Sequence, residues 1–280
     1  MRPTPRSFLP LAAVLATALL LAACGRKDDA PASAVPTSAS APAPARTYLV
    51  GTDAAYAPFE SQSPKGEIVV FDVDVVGAVA KAAGIQVKIV NTPWEGIFNA
   101  LAQGDRDLVA SAVTITDERR QTMDFSDPYF DAQQLIAVPM ASKVKSFADL
   151  KALKVGVQTG TTGDEAVSRL LGKTNPDIRR FESTPLALQE LQDGGVDAVV
   201  ADNGVVIHYV LNNPGGKFRT VADDSFVHER YGIAVKKGNA ELLAKLNQGL
   251  AAIRADGEYA RIYARYFGTA PAAAASAASN

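Results

Sequence analysis

Short apolar segments alternate with amphipathic segments along most of the chain, and this alternation limits the fold more than any other feature of the sequence. Gly84 and Gly104 follow two of the amphipathic segments, as glycines that end helices do. The pattern predicts the order strand, helix, strand, helix, strand over residues 47–52, 72–83, 86–90, 95–103 and 108–113. Elements of these lengths in this order predict an α/β fold with parallel strands.

One helix, glycine turn and strand recur later in the chain. The matched residues are Leu101, Gly104, Asp107 and Val109 in the first copy and Leu191, Gly194, Asp197 and Val199 in the second. Chance is the alternative, because helix–glycine–strand junctions are common. A real repeat would make Ala112 and Asp202 equivalent strand ends, and ligands of open α/β sheets bind outside the carboxyl ends of strands. The repeat therefore predicts two lobes that face a shared cleft.

Two extended segments, residues 134–138 and 231–235, are predicted to cross between the lobes as a hinge. We assign residues 46–138 and 231–268 to lobe 1 and residues 139–230 to lobe 2. The chain that returns to lobe 1 is predicted to add two helices, over residues 240–255 and 258–266.

Both ends of the chain differ from this pattern. Residues 1–23 have a basic start, an apolar stretch and small residues before Cys24, which is typical of a secretion signal. The tetrapeptide that ends at Cys24 resembles a bacterial lipobox, in which the cysteine becomes lipid-modified; a plain signal peptide is the alternative. Residues 24–45, rich in Ala, Pro and Ser, predict a flexible tether, and residues 269–280 a disordered tail.

The composition excludes several classes of function. There are 28 Lys and Arg against 30 Asp and Glu, so no nucleic-acid partner is implied. Asp72 and Asp74 alternate as metal ligands can, but their place at a helix start favours pairing with the helix dipole. His208 and His228 show no zinc-binding pattern. We therefore predict no metal and no cofactor. We also predict a monomer, because the sequence shows no oligomer signal.

The apolar run over residues 108–113 ends abruptly in a polar segment that includes Thr114 and Arg119. Arginine binds a carboxylate through two parallel hydrogen bonds, and hydroxyls and backbone N–H groups can satisfy the remaining lone pairs. The segment thus predicts a carboxylate site at the end of a buried strand. The alternative is a capped surface helix whose arginine points into solvent.

Two strand ends in the second lobe also carry polar groups. In QTGTTGDE, a strand over residues 154–158 is predicted to lead through a turn into a helix from about Asp164, whose N-terminus would present free N–H groups. The alternative is a capped helix with no ligand. Asp202 ends an apolar run and could accept hydrogen bonds from an ammonium group; its alternative role is the N-cap of the next helix.

The wider segment VTITDERRQTMDFSDPYF resembles the bacterial extracellular solute-binding proteins, family three. The resemblance extends through VGTDAAYAPFE, GEIVVFDVDVVGAVAKAAG, KVGVQTGTTGDE and YGIAVKKGN, and covers about residues 47–268. It implies a two-lobed periplasmic-binding-protein type II fold with a sheet flanked by helices in each lobe. It also implies that the chain captures a free amino acid outside the cytoplasm and delivers it to an ABC permease. With a lipidated Cys24, the protein would be anchored to a bacterial membrane.

The resemblance also assigns expected ligand contacts. Arg119, Thr114 and Thr162 are expected to bind the ligand carboxylate, and Asp202 the ammonium group. Backbone carbonyls at Ser111 and Ala112 are expected beside Asp202, although Ala112 replaces the glycine or serine common there. The remaining pocket residues are expected to be Asp53, Tyr56, Trp94, Gln158 and Thr161.

The same residues predict a preference among amino acids. Gln158 occupies a position where glutamine-binding relatives carry lysine, so a basic ligand would meet no repulsion there. Asp53 and the ring of Trp94 would favour a cation. The prediction is a basic amino acid first and glutamine second.

An enzyme is the competing class, because cyclohexadienyl dehydratases are similar to this family and act on prephenate or arogenate in the same cleft. Those enzymes need a general acid near the substrate ring. Asp202 and a complete amino-acid site favour binding, so we predict that the chain is not an enzyme. A third possibility is a detached sensory module. Such a module would be expected to continue into a membrane span or a signalling domain, and we predict neither.

Overall fold

The structure is a computed structural model that describes residues 46–213, 215 and 217–268. These residues belong to one compact unit, Ala43–Asn280. The predicted signal sequence, the lipidation site Cys24, the tether and the tail lie outside the described residues. Within them, no helix is both long enough and apolar enough to cross a membrane.

Fourteen strands and eight α-helices are present in the described residues, and one 3-10 helix spans Phe147–Ala152. The strands are β1 Thr47–Thr52, β2 Ala55–Tyr56, β3 Glu60–Gln62, β4 Ile68–Val69, β5 Gln86–Asn91, β6 Leu108–Val109, β7 Met123–Phe125, β8 Phe130–Pro139, β9 Val155–Gln158, β10 Ile178–Phe181, β11 Ala198–Asp202, β12 Phe218–Val221, β13 His228–Tyr231 and β14 Ala234–Lys236. The α-helices are α1 Phe71–Ala82, α2 Trp94–Gln103, α3 Asp117–Thr122, α4 Thr162–Leu171, α5 Thr184–Asp193, α6 Asn203–Asn212, α7 Ala240–Ala255 and α8 Glu258–Phe267.

Two sheets of matching topology organise the chain. The first has the order β5-β1-β6-β14-β7 and the second the order β10-β9-β11-β8-β12. In each, the first three strands are parallel and the last strands run antiparallel to their neighbours. The predicted α/β class and the two-lobed type II fold are confirmed, with mixed sheets in place of purely parallel ones.

The internal repeat is real in three dimensions. Helices α2 and α5 both end at a glycine in the left-handed conformation, with φ of 89° at Gly104 and 79° at Gly194. Three residues later, the carboxylate of Asp107 accepts a hydrogen bond from the backbone N–H of Leu49, at 2.7 Å. Asp197 does the same for Lys154, at 2.8 Å. Each aspartate therefore ties its helix–strand junction to the neighbouring parallel strand.

The strand predicted over residues 108–113 is shorter than expected. Strand β6 ends at Val109, and Ala112 adopts a left-handed backbone with φ of 46°. The backbone N–H of Ala112 donates to the Asp72 carboxylate at 2.7 Å instead of to a neighbouring strand. This side-chain acceptor turns the chain, so the backbone at Ser111 and Ala112 faces the space between the lobes.

The connection between lobes is a pair of antiparallel strands. The first residues of β8 pair with β13, from Phe130↔Tyr231 to Gln133↔His228. From Gln134 onward, β8 pairs with β11 and β12 of the second sheet. The predicted boundary after residue 138 thus falls inside a continuous strand, because β8 serves both as hinge and as sheet strand. We propose Gln134 as the start of lobe 2.

Each lobe has its own hydrophobic core. In the first, α1 packs against α7 and α8, so the returning chain completes the lobe. An aromatic cluster around Phe59 and Phe71 joins the start of α1 to the hinge residues Phe130 and Tyr231. A rigid core therefore lies directly behind the cleft.

Candidate functional site

A cavity of about 320 Å³ lies between the two sheets, on the side where their strands end. All the side chains predicted for the ligand site line it, together with one that was not predicted, Glu60. The lining residues are Asp53, Tyr56, Glu60, Trp94, Ser111, Ala112, Thr114, Arg119, Gln158, Thr161, Thr162 and Asp202.

Arg119 is held in place from both lobes. It lies in α3, where the Thr116 hydroxyl caps the helix by accepting from the Arg119 backbone N–H. One guanidinium nitrogen donates to the Thr114 carbonyl at 2.9 Å, and the other donates across the cleft to the Gly160 carbonyl at 3.3 Å. Burial lowers the pKa of Arg119, against the opposing effect of nearby carboxylates such as Glu165. The expectation of a solvated surface arginine is excluded, since Arg119 is only 9% exposed.

Two aromatic rings flank the guanidinium. The Arg119 Cζ atom lies 5.4 Å from the centre of the Trp94 ring and 5.2 Å from that of Phe98. The two rings meet edge to face. Cation–π contacts of this kind fix a guanidinium plane and offset part of its desolvation. Trp94 therefore orients Arg119, a role that differs from the predicted contact with the ligand cation.

The hydroxyls of Thr114 and Thr162 are directed away from a carboxylate ligand. Both donate to one oxygen of Glu229, each at 2.9 Å. Because a hydroxyl has one hydrogen, these groups can only accept from a ligand. In this geometry the Thr114 hydroxyl is engaged by Glu229, and its predicted contact with the ligand carboxylate stays a prediction. A carboxylate would instead depend on Arg119 and on backbone N–H groups.

Backbone donors are available at the start of α4. The helix begins at Thr162, two residues earlier than predicted, and the Thr161 hydroxyl caps it by accepting from the Asp164 backbone N–H at 3.2 Å. The first N–H groups of a helix have no intrahelical acceptor. Those of Thr162 and Gly163, with the positive end of the helix dipole, are suited to an anion in the cavity that Arg119 also lines.

Asp202 is the centre of a network that reaches both lobes. Its Oδ2 atom accepts from the hydroxyls of Tyr56 at 2.8 Å and Tyr231 at 2.5 Å, and its Oδ1 accepts from the Gln134 amide. Burial raises the pKa of Asp202, while these bonds and Arg119 oppose the increase. Although Asp202 precedes α6, its side chain makes no capping bond, so the N-cap alternative is not realised.

Glu229 adds a further buried carboxyl group beside Asp202. It receives the two threonine hydroxyls and the Gln134 amide. Burial, and then the charge of Asp202, raises the pKa of Glu229 to about 7. Glu229 lies on β13 and Gln134 on β8, so the hinge supplies acceptors and donors to the site.

Asp53 lies at another wall of the cavity, where it follows β1. Its carboxylate accepts from the backbone N–H of Trp94 at 3.3 Å. Burial raises the pKa of Asp53, and hydrogen bonds from Trp94 and from the Gln158 side chain oppose the increase. Gln158 itself is held within lobe 2 by the Thr184 hydroxyl and the Glu182 carbonyl. The carboxylate of Asp53 therefore has only neutral hydrogen-bond partners.

The lobes are closed around the cavity. The connections that cross the cleft include Arg119 to Gly160, Tyr56 to Asp202, and Thr114 to Glu229. The cavity is thus enclosed by polar contacts between lobes, with apolar cores behind them.

Comparison with known proteins identifies the family. The model of the bacterial extracellular solute-binding proteins, family 3, matches residues 48–269. The chain belongs to this family. The names of similar family members include an ABC transporter arginine-binding protein and two periplasmic proteins, one that binds lysine, arginine and ornithine and one that binds histidine.

Three similar solute-binding proteins illustrate the relationship. A probable histidine-binding protein of Neisseria gonorrhoeae is 48% identical over 91% of this chain and 94% of its own length. An L-arginine-binding protein of Pseudomonas aeruginosa is 35% identical over 78% of this chain and 86% of its own. The crystal structure of the arginine-, lysine-, histidine-binding protein ArtJ from Geobacillus stearothermophilus is 46% identical, with a TM-score of 0.78 over 81% of this chain and 97% of that one.

Sequence reasoning missed four polar residues of the network, namely Glu60, Gln134, Glu229 and Tyr231. Gln134 and Glu229 are buried polar residues within apolar strand segments, AQQLIAV and HERYGIAV. A polar side chain at a buried strand position needs a partner, so this irregularity was the available signal.

Replacing Arg119 with lysine should weaken amino-acid binding by roughly 100-fold, or about 3 kcal/mol, because lysine keeps the charge but loses the two-pronged hydrogen bonding. Titration calorimetry of the purified protein measures the change. Arg120→Lys, on the exposed side of α3, is the matched control and should bind normally. Equal affinities of R119K and wild type would contradict the assigned role of Arg119.

Proposed function

We propose that the chain binds a basic amino acid between its lobes and delivers it to an ABC importer. The observation that carries this proposal is the charge of the cavity. Among the described residues that line it, the acids Asp53 and Asp202 outnumber the one cation, Arg119, and a third acid, Glu60, is engaged by the Ser111 hydroxyl. An amino acid with a neutral side chain would add no net charge to the cavity. A basic amino acid would add one positive charge, which offsets the excess of acids.

The ligand's backbone charges have matching partners. Its carboxylate would bind Arg119 and the N-terminus of α4, and its ammonium group would donate to Asp202 and to the turn at Ser111 and Ala112. Unpaired charges are costly in a buried site, so each ligand charge needs an opposite or hydrogen-bonding group. With these groups engaged, the side chain is left to face Asp53.

Asp53 would then select the cation. Its carboxylate accepts from a backbone N–H and is not paired with any arginine or lysine of the described residues. A guanidinium, ammonium or imidazolium group on the ligand would supply the missing positive charge. Two of the similar proteins carry names that state arginine binding and two state histidine binding, which supports this choice.

Closure would couple binding to transport. The closed arrangement presents both lobes in fixed orientation, and a ligand that contacts Arg119 on one side and Asp202 on the other favours it. An ABC permease would recognise this shape and accept the amino acid after reopening. We further propose that lipid on Cys24 holds the protein at the membrane, with residues 24–45 as the tether.

The experiment that tests the proposal uses Trp94, the chain's single tryptophan, as a fluorescent reporter at the cavity. Arginine, lysine, histidine and glutamine are titrated into wild type and into Asp53→Asn. Arginine affinity should fall roughly tenfold or more in the variant, and glutamine affinity by less than about threefold, since only arginine pairs with the lost charge.

Asp105→Asn removes the same charge from an exposed position outside the cavity and is the matched control. Equal losses of arginine and glutamine binding in D53N would contradict selection by Asp53. Consumption of arogenate or prephenate by the wild type would move the protein to the dehydratase class instead.

The affinity for arginine should rise as the pH increases from about 5.5 to 7.5. The pKa of Glu229 is raised to about 7, and that of Asp53 is raised by burial. A bound cation favours the ionised form of these carboxyl groups, so binding releases protons and is weaker where those protons must be expelled, at low pH. Because arginine's guanidinium does not titrate here, the change belongs to the protein.

Calorimetry in buffers of different ionisation enthalpy measures both the dissociation constant and the protons released. A dissociation constant that is constant across this range, or that increases with pH, would contradict the electrostatic account of the site.

A further inference from the structure

A pair of buried carboxyl groups lies directly behind the predicted ammonium site. Glu60 and Asp72 are 0% and 1% exposed. Their hydrogen-bond donors are uncharged: the Ser111 hydroxyl for Glu60, and the Ala112 backbone N–H and Tyr129 hydroxyl for Asp72. Two ionised carboxylates in this setting would repel one another without a compensating cation.

One oxygen of each carboxyl group has no donor. These atoms are Glu60 Oε2 and Asp72 Oδ1, both fully buried. Each carboxyl group also influences the pKa of the other, so the two lie close together. A hydrogen bond between two carboxyl groups requires that one of them carry a proton. A single proton placed between these two oxygens would satisfy both and would remove the repulsion.

The pair also holds the turn that faces the ligand. Glu60 accepts from the Ser111 hydroxyl at 2.8 Å, and that hydroxyl in turn accepts from the Asp53 backbone N–H at 3.0 Å. Asp72 accepts from the backbone N–H of Ala112 at 2.7 Å. The two carboxyl groups therefore fix two consecutive residues of the turn.

Strained backbone surrounds the pair. Among the described residues, the non-glycine residues with positive φ are Val70 and Ala112. Val70, at φ 88° and ψ −160°, directly precedes the first turn of α1, which contains Asp72. Such conformations are strained and persist where surrounding contacts enforce them. Here the enforcing contact at Ala112 is the Asp72 carboxylate.

We propose that Glu60 and Asp72 share one proton and act together as a positioning pair, which holds the Ser111–Ala112 turn so that its carbonyls accept from the ligand's ammonium group. The inference rests on the proposed function for the identity of the ligand. The ammonium group is common to all amino acids, so the pair sets affinity for the class and leaves the choice of side chain to Asp53.

The electrostatic surroundings agree with a retained proton. Burial, followed by the neighbouring charge of Asp72, raises the pKa of Glu60 well above its usual value. The pKa of Asp72 is raised by burial to about 6, against the hydrogen bonds from Tyr129 and Ala112. The titratable groups near the pair include Asp53, Tyr56, Tyr129 and Tyr259, and none of these supplies a positive charge.

Infrared spectroscopy tests the shared proton without any ligand. Ligand-free wild type at pH 7 should show the carbonyl stretch of a protonated carboxylic acid in a buried site, and Glu60→Gln should lose this band. The absence of a band that depends on Glu60 would overturn the proposal, whatever amino acid the protein binds.

Binding measurements test the positioning role. Glu60→Leu removes the acceptor for Ser111 and should weaken arginine and glutamine binding equally, by about 30-fold. Glu60→Gln restores an amide oxygen for Ser111 and an N–H for Asp72, and should recover affinity to within about fivefold of wild type. A loss in E60Q as large as in E60L would overturn the shared-proton arrangement.

Two comparisons distinguish the positioning role of Glu60 from the ligand selection proposed for Asp53. The positioning role predicts equal losses of arginine and glutamine binding in E60L, whereas selection by Asp53 predicts unequal losses in D53N. Either proposal can therefore fail while the other stands. If E60L does not fold, as judged by circular dichroism, E60Q and the infrared band still decide the outcome.

Discussion

The fold keeps several carboxyl groups buried around a cleft whose described lining includes one arginine, Arg119. The rest of the structure depends on how the charges of these carboxyl groups are balanced. Asp202 and Glu229 are neutralised only in part by hydroxyl and amide donors, and Arg119 is already engaged with backbone carbonyls and two aromatic rings. Desolvation raises the pKa values of both acids, so the site stores unfavourable electrostatic energy when no cation is bound. Under the proposed function, a cationic ligand would relieve it, so affinity would depend on ligand charge as well as on cavity shape.

The same polar groups connect the lobes to the hinge. Tyr231 and Glu229 come from β13, and Gln134 from the paired strand β8, yet all three contact residues that line the cavity. A change in the relative position of the lobes must therefore break bonds at Asp202 and Glu229. Ligand binding and hinge geometry share one hydrogen-bond network, while the hydrophobic cores of the two lobes remain separate.

Strand and helix order and the internal repeat could be predicted from the sequence, because periodic burial and glycine-terminated helices are local signals. Most of the cavity residues were predicted from the resemblance to the family. Sequence could not show that Thr114 and Thr162 donate to Glu229, since this contact joins residues 67 and 115 positions apart. The left-handed turn at Ala112 was also missed, because a non-local acceptor, Asp72, enforces it against the preference of alanine. Propensity describes the chain locally, whereas these features arise from contacts between residues that are far apart in the sequence.

Titration calorimetry with arginine and with citrulline tests the central claim most directly. The two ligands have nearly the same size and the same backbone charges, but citrulline has a neutral ureido group in place of the guanidinium. Selection by buried negative charge predicts that arginine binds about 100-fold more tightly, a difference of about 2.8 kcal/mol. Equal affinities would show that the cavity recognises shape and backbone groups alone, and would contradict the account.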